Sequence, residues 1–346
     1  MESLNSTERS QWADLCRALS IYGVVLLHSC GAIFYQYGKI PLGDWLSANL
    51  LDSLVRCTVP LFVMLSGALL LRRSIGEGER TFFLKTIQRI IKVLLPLLVW
   101  SGIYLWFVAH HNGGQINLLS ILSKPAMYHL WFVYMIIGVY LFIPLFQIIF
   151  DAIIDRPVLL CYTFTLWFVI TCIPVYLPLP LLSIIQQKSF FGYGGYFLIG
   201  GIIASTKQNR LPTFFWLIIF LSSVLVTFGA TWYLSWQANS PRETAYLYFS
   251  PNVFLAAISA FVLFTRATVP TAMANITKWI SERSFFIYFI HVLILEIVRY
   301  SNFVFFINQH SPVFITILVI SIATFVLSLI ASSLLKFIPG AQRVFG

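Results

Sequence analysis

The chain has 346 residues, of which 59% are apolar and only 10% are charged, and its formal net charge is +10. A soluble domain has roughly 25% charged residues, so this composition predicts an all-α polytopic integral membrane protein. The basic residues lie in short loops between apolar segments, which is typical of a topology signal and excludes nucleic-acid binding.

Ten apolar segments are predicted to be transmembrane helices, since a helix needs roughly 20 residues to cross the hydrocarbon core. They are residues 18–36, 48–71, 86–109, 127–147, 158–177, 191–205, 213–234, 249–266, 284–300 and 313–336. The sixth segment is short and rich in glycine, which favours either close helix packing or a helix broken beside a cavity. The N-terminal stretch lacks the features of a cleaved signal peptide, so the first apolar segment is expected to remain as a span.

The distribution of lysine and arginine gives the orientation. If the N-terminus lies in the cytoplasm, 16 of the 22 Lys and Arg residues fall on the cytoplasmic side of the ten spans. This bias predicts that both termini are cytoplasmic. No loop is long enough for a separate domain, so residues 1–346 are expected to form one membrane domain with no appended soluble domain.

The first span carries Arg17 and His28, which are eleven residues apart. At about 3.6 residues per turn, this spacing places both side chains on one helix face, roughly 16 Å apart along the axis. Asp14 lies one turn before Arg17 and is positioned to pair with it. Arg17 could be a topology anchor and His28 a hydrogen-bonded core residue, but the shared face and the depth of His28 favour a function.

Polar residues at the outer ends of two spans are predicted to line a tunnel or an acceptor site. Arg56 lies near the outer mouth of the second span, and His129 and Trp131 lie at the start of the fourth. An interfacial aromatic belt explains a tryptophan at this depth without any function. It does not explain His129.

The cytoplasmic half of the second span leads into a basic cluster. Pro60 is expected to bend the helix. The small side chain of Ser66 is expected to let a neighbouring helix or a substrate approach the helix closely. Arg72, Arg73 and Lys85 follow, and such a cluster suits a polyanionic donor because arginine binds phosphate bidentately. The alternative is a topology signal that contacts lipid headgroups.

The ninth span contains two pairs of residues that are three positions apart. Tyr288 and His291 share one helix face, and Glu296 and Arg299 are spaced to form an ion pair. His291 is expected either to line a path through the protein or to bond to a neighbouring helix. Glu296 is taken as the only carboxylate deep within a span.

Soluble nucleophile motifs are missing from the sequence, which has no GxSxG, HExxH or P-loop pattern. Glycoside hydrolysis would need two facing carboxylates. The remaining chemistry is that of a buried histidine, which can act as a general base toward a hydroxyl or as a transient acyl carrier. Neither role requires a metal.

Four motifs carry a resemblance to a known family. They are Arg17-x10-His28, "VPLFVMLSG" (59–67), "HLWF" (129–132) and "SFFIYFIH" (284–291). Over nearly its whole length the chain resembles the acyltransferase family 3 membrane proteins. Within that family, residues 124–147 are most similar to the WecH-type O-acetyltransferases of enterobacterial common antigen.

The resemblance implies O-acetyl transfer across the bacterial cytoplasmic membrane. Acetyl-CoA is then the cytoplasmic co-substrate, with no permanently bound cofactor, and a glycan or lipid-linked sugar at the outer face is the acceptor. His28 would be the base or acyl carrier, and Arg17 would orient the donor. Arg72 and Arg73 are adjacent here, whereas the family often separates this arginine pair by one residue.

Two other classes of function are open from the sequence. A transporter or flippase for a glycan or lipid would also contain intramembrane charges and an interrupted helix, although no paired repeat is found. A scaffold without enzymatic activity does not explain three histidines within or beside the spans.

Overall fold

The computed structural model describes residues 6–71, 79–112, 117–177, 190–206, 211–302, 307, 309–335 and 337–346, and within these ranges it is helical and contains no β-strand. The α-helices are α1 (Ser6–Phe34), α2 (Leu42–Val55), α3 (Thr58–Leu70), α4 (Glu79–Asn112), α5 (Trp131–Leu141), α6 (Ile143–Ile153), α7 (Pro157–Thr171), α8 (Phe190–Ser205), α9 (Thr213–Ala238), α10 (Pro251–Thr265), α11 (Thr271–Ser281), α12 (Ser284–Arg299), α13 (Val313–Leu335) and α14 (Ala341–Phe345). Short 3-10 helices lie at Leu118–Leu122, Tyr128–Leu130, Ile173–Val175 and Thr244–Tyr246. The prediction of an all-α membrane protein is confirmed.

Several of these helices are long enough to cross a membrane. Among the described residues, seven helical stretches have the length and hydropathy of a span, or eight if the bent pair α5–α6 counts as one. The segments predicted as the sixth and ninth spans form α8 and α12, which have 16 residues each. The total of ten spans and the cytoplasmic position of both termini stay predictions.

Two predicted spans are interrupted near a proline. The second is divided at Arg56 and Cys57 into α2 and α3, and Pro60 lies in the first turn of α3. The fourth is bent by 62° between α5 and α6, with Pro144 in the first turn of α6. A proline is tolerated there because the N–H groups of the first turn have no partner within the helix.

Glycines bring α3 and α8 into direct backbone contact. A Cβ on Gly67 would lie 1.8 Å from the Phe197 carbonyl oxygen, and one on Gly200 would lie 1.9 Å from the Met64 carbonyl oxygen. Any side chain at either position would collide with backbone. The glycine-rich segment is therefore one continuous helix in close contact with α3, and the alternative of a broken helix is wrong.

The first helix is central among the described helices. α1 packs against α2, α3, α10, α11, α12 and α13. Because it is enclosed on several sides, its polar residues meet other helices. Arg17 and His28 are therefore positioned to take part in a site formed between helices.

Candidate functional site

Three histidines that are distant in sequence meet inside the bundle. The ring centroids of His28 and His291 are 5.2 Å apart, those of His129 and His291 are 5.1 Å apart, and those of His28 and His129 are 6.4 Å apart. His129 and His291 are almost fully buried, whereas His28 is partly exposed. We call these three residues the histidine cluster. His28 is its accessible member.

The ring of His291 is held by its own helix. Its Nδ1 lies 2.7 Å from the carbonyl oxygen of Tyr288. A carbonyl oxygen can only accept a hydrogen bond, so Nδ1 carries the proton, and Nε2 presents a lone pair when the ring is neutral. Nε2 is buried and makes no hydrogen bond to any described residue.

His129 is fixed through its backbone and not through its ring. Its carbonyl oxygen accepts a hydrogen bond from the Tyr288 hydroxyl. The Phe289 carbonyl oxygen accepts a hydrogen bond from the Tyr104 hydroxyl at 2.6 Å. Neither ring nitrogen of His129 makes a hydrogen bond within the described part of the chain. A buried polar group without a partner costs about 1–3 kcal/mol, so a polar group that reached this ring would remove that penalty.

Arg299 anchors the backbone of His28. Its Nη2 donates to the His28 carbonyl oxygen at 2.6 Å, and its Nη1 pairs with Glu296 Oε1 at 3.2 Å. The predicted ion pair between Glu296 and Arg299 is therefore confirmed. It has a further effect that the sequence did not indicate, because it ties α12 to α1 at His28.

Eleven residues before His28 on α1, Arg17 is held in a hydrogen-bond network with Asp14 and Ser281. Arg17 Nη1 donates to Ser281 Oγ at 2.9 Å, and Ser281 Oγ donates to Asp14 Oδ1 at 2.7 Å. Arg17 Nη1 is also 3.9 Å from Asp14 Oδ1. The expected support of Arg17 by Asp14 is confirmed, with the hydroxyl of Ser281 as the shared bridge.

A cavity of about 620 Å³ is lined by Arg17 and by Tyr288. Its wall contains three basic residues, the predicted Ser66 and Tyr288, and mainly apolar residues elsewhere. The basic residues are Arg17, Lys92 and Arg343, and none of the described residues that line the cavity is acidic. Tyr288 belongs to both regions, because its ring centroid is 5.6 Å from that of His129 and 6.0 Å from that of His291.

Of the three predicted donor-binding residues, Arg72, Arg73 and Lys85, the structure describes only Lys85. Arg72 and Arg73 lie outside the described residues. Lys85 is on α4 but is not among the residues that line the cavity, whereas Lys92 is. Seven residues are about two turns of helix, so Lys85 and Lys92 share a face. From that spacing, Lys92 could have been predicted as a donor-binding residue together with Lys85. No sequence signal indicated Arg343.

Arg56 is engaged in a buried ion pair. Its Nε is 2.7 Å and its Nη2 is 2.8 Å from the carboxylate oxygens of Asp52, and its guanidinium lies 4.0 Å from the ring centroid of Tyr246. Asp52 is almost fully buried. The expectation that Glu296 is the only carboxylate deep within a span is therefore wrong. The i,i+4 spacing of Asp52 and Arg56 was the available signal.

Aromatic rings adjoin the histidine cluster. Trp131 stacks on Tyr248 with centroids 5.7 Å apart and also contacts Tyr193. Tyr128 lies 5.2 Å from His28 and is exposed. Tyr128 is thus the ring beside the partly exposed histidine, and we call the group of Trp131, Tyr193 and Tyr248, which begins two residues after His129, the aromatic wall.

The side chains of the cluster offer proton transfer and nucleophilic attack by imidazole. Within the described ranges, no group of three His, Cys, Asp or Glu side chains is arranged to hold a metal ion. The chemical groups at hand are His28, His129 and His291, with Tyr288 between them and the cavity.

Comparison with known proteins connects this geometry to a family. The model of the acyltransferase domain of acyltransferase family 3 matches residues 10–333, a range that includes the whole histidine cluster. A segment of 94 residues is 38% identical to the succinoglycan biosynthesis protein ExoH of Rhizobium meliloti (strain 1021), and the match covers 26% of this chain and 24% of that protein. No solved structure matches the chain. The chain is therefore a multi-pass membrane protein that belongs to acyltransferase family 3.

Proposed function

We propose that this protein is an O-acetyltransferase of the bacterial inner membrane. It transfers the acetyl group of cytoplasmic acetyl-CoA to a hydroxyl of a cell-surface or lipid-linked glycan at the outer face. The observation that carries this proposal is the basic cavity whose wall includes Tyr288, the residue that also contacts the histidine cluster. Membership of the family supports acyl transfer, and the name of the relative from Rhizobium meliloti supports a polysaccharide acceptor.

The cavity has the properties that a CoA thioester requires. Its volume of about 620 Å³ lies within the range of about 300–1,000 Å³ that small-molecule sites occupy. Basic side chains match the phosphates of the donor, and the apolar wall matches its pantetheine arm. Arg17, held by Ser281 and Asp14, would orient the donor so that the thioester reaches the histidine cluster.

Two routes of acyl transfer fit a partly exposed His28. As a general base, its imidazole takes the proton of the acceptor hydroxyl while that oxygen attacks the thioester carbonyl. The C–S bond then breaks, and the proton passes to the departing CoA thiolate. As an acyl carrier, the imidazole itself attacks the carbonyl, the C–S bond breaks, and the departing CoA thiolate takes up the imidazole N–H proton. The acceptor hydroxyl then attacks the acetyl-imidazole, the C–N bond breaks, and the hydroxyl proton returns to the imidazole.

The aromatic wall is suited to the acceptor. Trp131 and Tyr248 offer flat amphipathic faces to a sugar ring, and their polar edges suit a partly wet surface. Arg56 keeps part of its side chain exposed although it pairs with Asp52, so its guanidinium can donate hydrogen bonds to sugar hydroxyls. Replacement of Trp131 by alanine should therefore raise the KM for the acceptor and leave that for acetyl-CoA unchanged.

The direct test uses purified protein in nanodiscs with radiolabelled acetyl-CoA and a set of glycans. Wild type should label a glycan, and His28→Ala should not, although it inserts and unfolds at the same temperature. Cys161→Ala, which alters an exposed side chain on α7, is the matched control and should retain activity. Label on the protein itself in the absence of acceptor would identify the carrier route.

Two results would contradict the proposal. One is normal acetyl transfer by His28→Ala. The other is movement of the glycan across the membrane with no acetyl incorporation, which would favour a transporter.

A further inference from the structure

The short helix α14 folds back onto the bundle. Trp100 Nε1 on α4 donates to the Phe345 carbonyl oxygen at 3.0 Å, and the two rings meet edge to face. Ala341 is buried. Gly340, just before the helix, has a φ of 79°, which a residue with a side chain rarely adopts. These features direct the segment toward the cavity.

This packing places Arg343 in the cavity wall with Lys92 and Arg17. Arg17 is already bonded to Ser281 and close to Asp14. The side chains of Lys92 and Arg343, by contrast, are exposed, and neither forms an ion pair with a described residue. Among the described residues of the wall, no acidic side chain balances them. Two uncompensated cations in one cavity create a positive potential that attracts a polyanion.

We propose that Lys92 and Arg343 form a binding site for the phosphate groups of the acyl-CoA donor. This inference rests on the proposed function, because it names the residues that hold the nucleotide end of the donor. Arginine can bind a phosphate through two parallel hydrogen bonds, and lysine acts as a point charge beside it. The apolar wall then accommodates the pantetheine arm, whose thioester end lies toward Tyr288.

A membrane lipid headgroup offers the same phosphate chemistry. Both cations are exposed, so an anionic lipid could occupy the site in place of the donor. Phosphates of the donor and phosphates of a lipid differ in how their binding depends on the charge of the membrane lipid. Binding of donor phosphates persists in a bilayer of neutral lipid, whereas binding of lipid requires anionic headgroups.

The test compares Arg343→Ala and Lys92→Ala with wild type in nanodiscs of phosphatidylcholine. The donors are acetyl-CoA and acetyl-pantetheine, which has the same thioester arm but no phosphate. Each variant should raise the KM for acetyl-CoA about tenfold or more, the loss expected for one charged contact, while kcat and the kinetics with acetyl-pantetheine stay unchanged. Equilibrium binding of CoA, measured by calorimetry, should weaken by the same factor.

Matched variants separate charge from structure. Lys278→Ala removes an exposed lysine on α11 that does not line the cavity and should bind CoA normally. Arg343→Lys keeps the positive charge and should bind CoA more tightly than Arg343→Ala but less tightly than wild type. Thermal unfolding of every variant shows that the loss is not due to misfolding.

The outcomes distinguish this inference from the proposed function. Wild type that neither binds CoA nor uses acetyl-CoA contradicts the proposed function itself. Active wild type with unchanged CoA affinity in both alanine variants overturns only the phosphate site. An equal loss with acetyl-pantetheine, or an effect seen only when phosphatidylglycerol is present, overturns it in favour of a structural or lipid-binding role.

Discussion

The imidazole rings of His28 and His291 lie 5.2 Å apart with an interplanar angle of 33°, although they come from opposite ends of the chain. Both are positioned by α12. The ring of His291 is held by the Tyr288 carbonyl of that helix, and the backbone of His28 is held by Arg299 at its end. Substitutions on α12 should therefore alter the reaction at His28.

His291→Asn tests whether Nε2 of that ring takes part in proton handling. The asparagine amide can donate to the Tyr288 carbonyl as Nδ1 does, but it has no equivalent of Nε2. We expect kcat to fall by about 100-fold or more, in the range typical of a lost acid–base group, with no change in the unfolding temperature. His291→Ala should lose both activity and stability, and a fully active His291→Asn would show that Nε2 has no role.

Arg299→Lys tests the anchor at His28. Lysine keeps a positive charge but lacks the fork that bonds to the His28 carbonyl and Glu296 together. We expect a several-fold loss of kcat with little change in the KM for acetyl-CoA, measured by initial rates. Arg242→Ala, which alters an exposed arginine, is the control, and equal activity of Arg299→Lys and wild type would contradict the anchoring role.

Ser281→Ala tests the support of Arg17. The variant loses the hydroxyl that links Arg17 to Asp14, a bond to charged groups worth about 1.5–3 kcal/mol. The KM for acetyl-CoA should rise more than kcat falls, since Arg17 is expected to orient the donor. Thr277→Ala is matched to it, because Thr277 bonds only to the Ala274 carbonyl of the same helix; a similar effect of both variants would exclude a specific bridge.

Gly67→Ala tests the contact between α3 and α8. The added Cβ would collide with the Phe197 carbonyl, and overpacking of this kind costs about 1–3 kcal/mol or more. Gly102→Ala on α4 is the control, because no atom lies within 4 Å of its added Cβ, and it should be neutral or slightly stabilising. Thermal unfolding in detergent compares the two, and equal unfolding temperatures would contradict the close contact.

The sequence predicted what depends on spacing within one helix. The support of Arg17 by Asp14 and the Glu296–Arg299 pair follow from helical periodicity, and the structure confirms both. Arg17 and His28 lie in one continuous helix, as their predicted shared face requires. Three-residue and four-residue spacings can be read without knowledge of the tertiary fold. The same rule applied to Asp52 would have identified the partner of Arg56.

The sequence could not predict which helices meet. The convergence of His28, His129 and His291 depends on packing between three separate segments, and no local pattern encodes it. Arg343 reaches the cavity through the packing of α14 on the bundle, to which the bond from Trp100 to the Phe345 carbonyl contributes. Such contacts belong to the assembled bundle and not to any single helix.

The contribution of α14 to the cavity wall has a consequence for biosynthesis. Arg343 and Gly346 line the same space as Arg17, so the wall joins residues that are translated first to residues that are translated more than 300 positions later. The cavity wall is therefore complete only after α14 has been synthesised and has packed against the earlier helices.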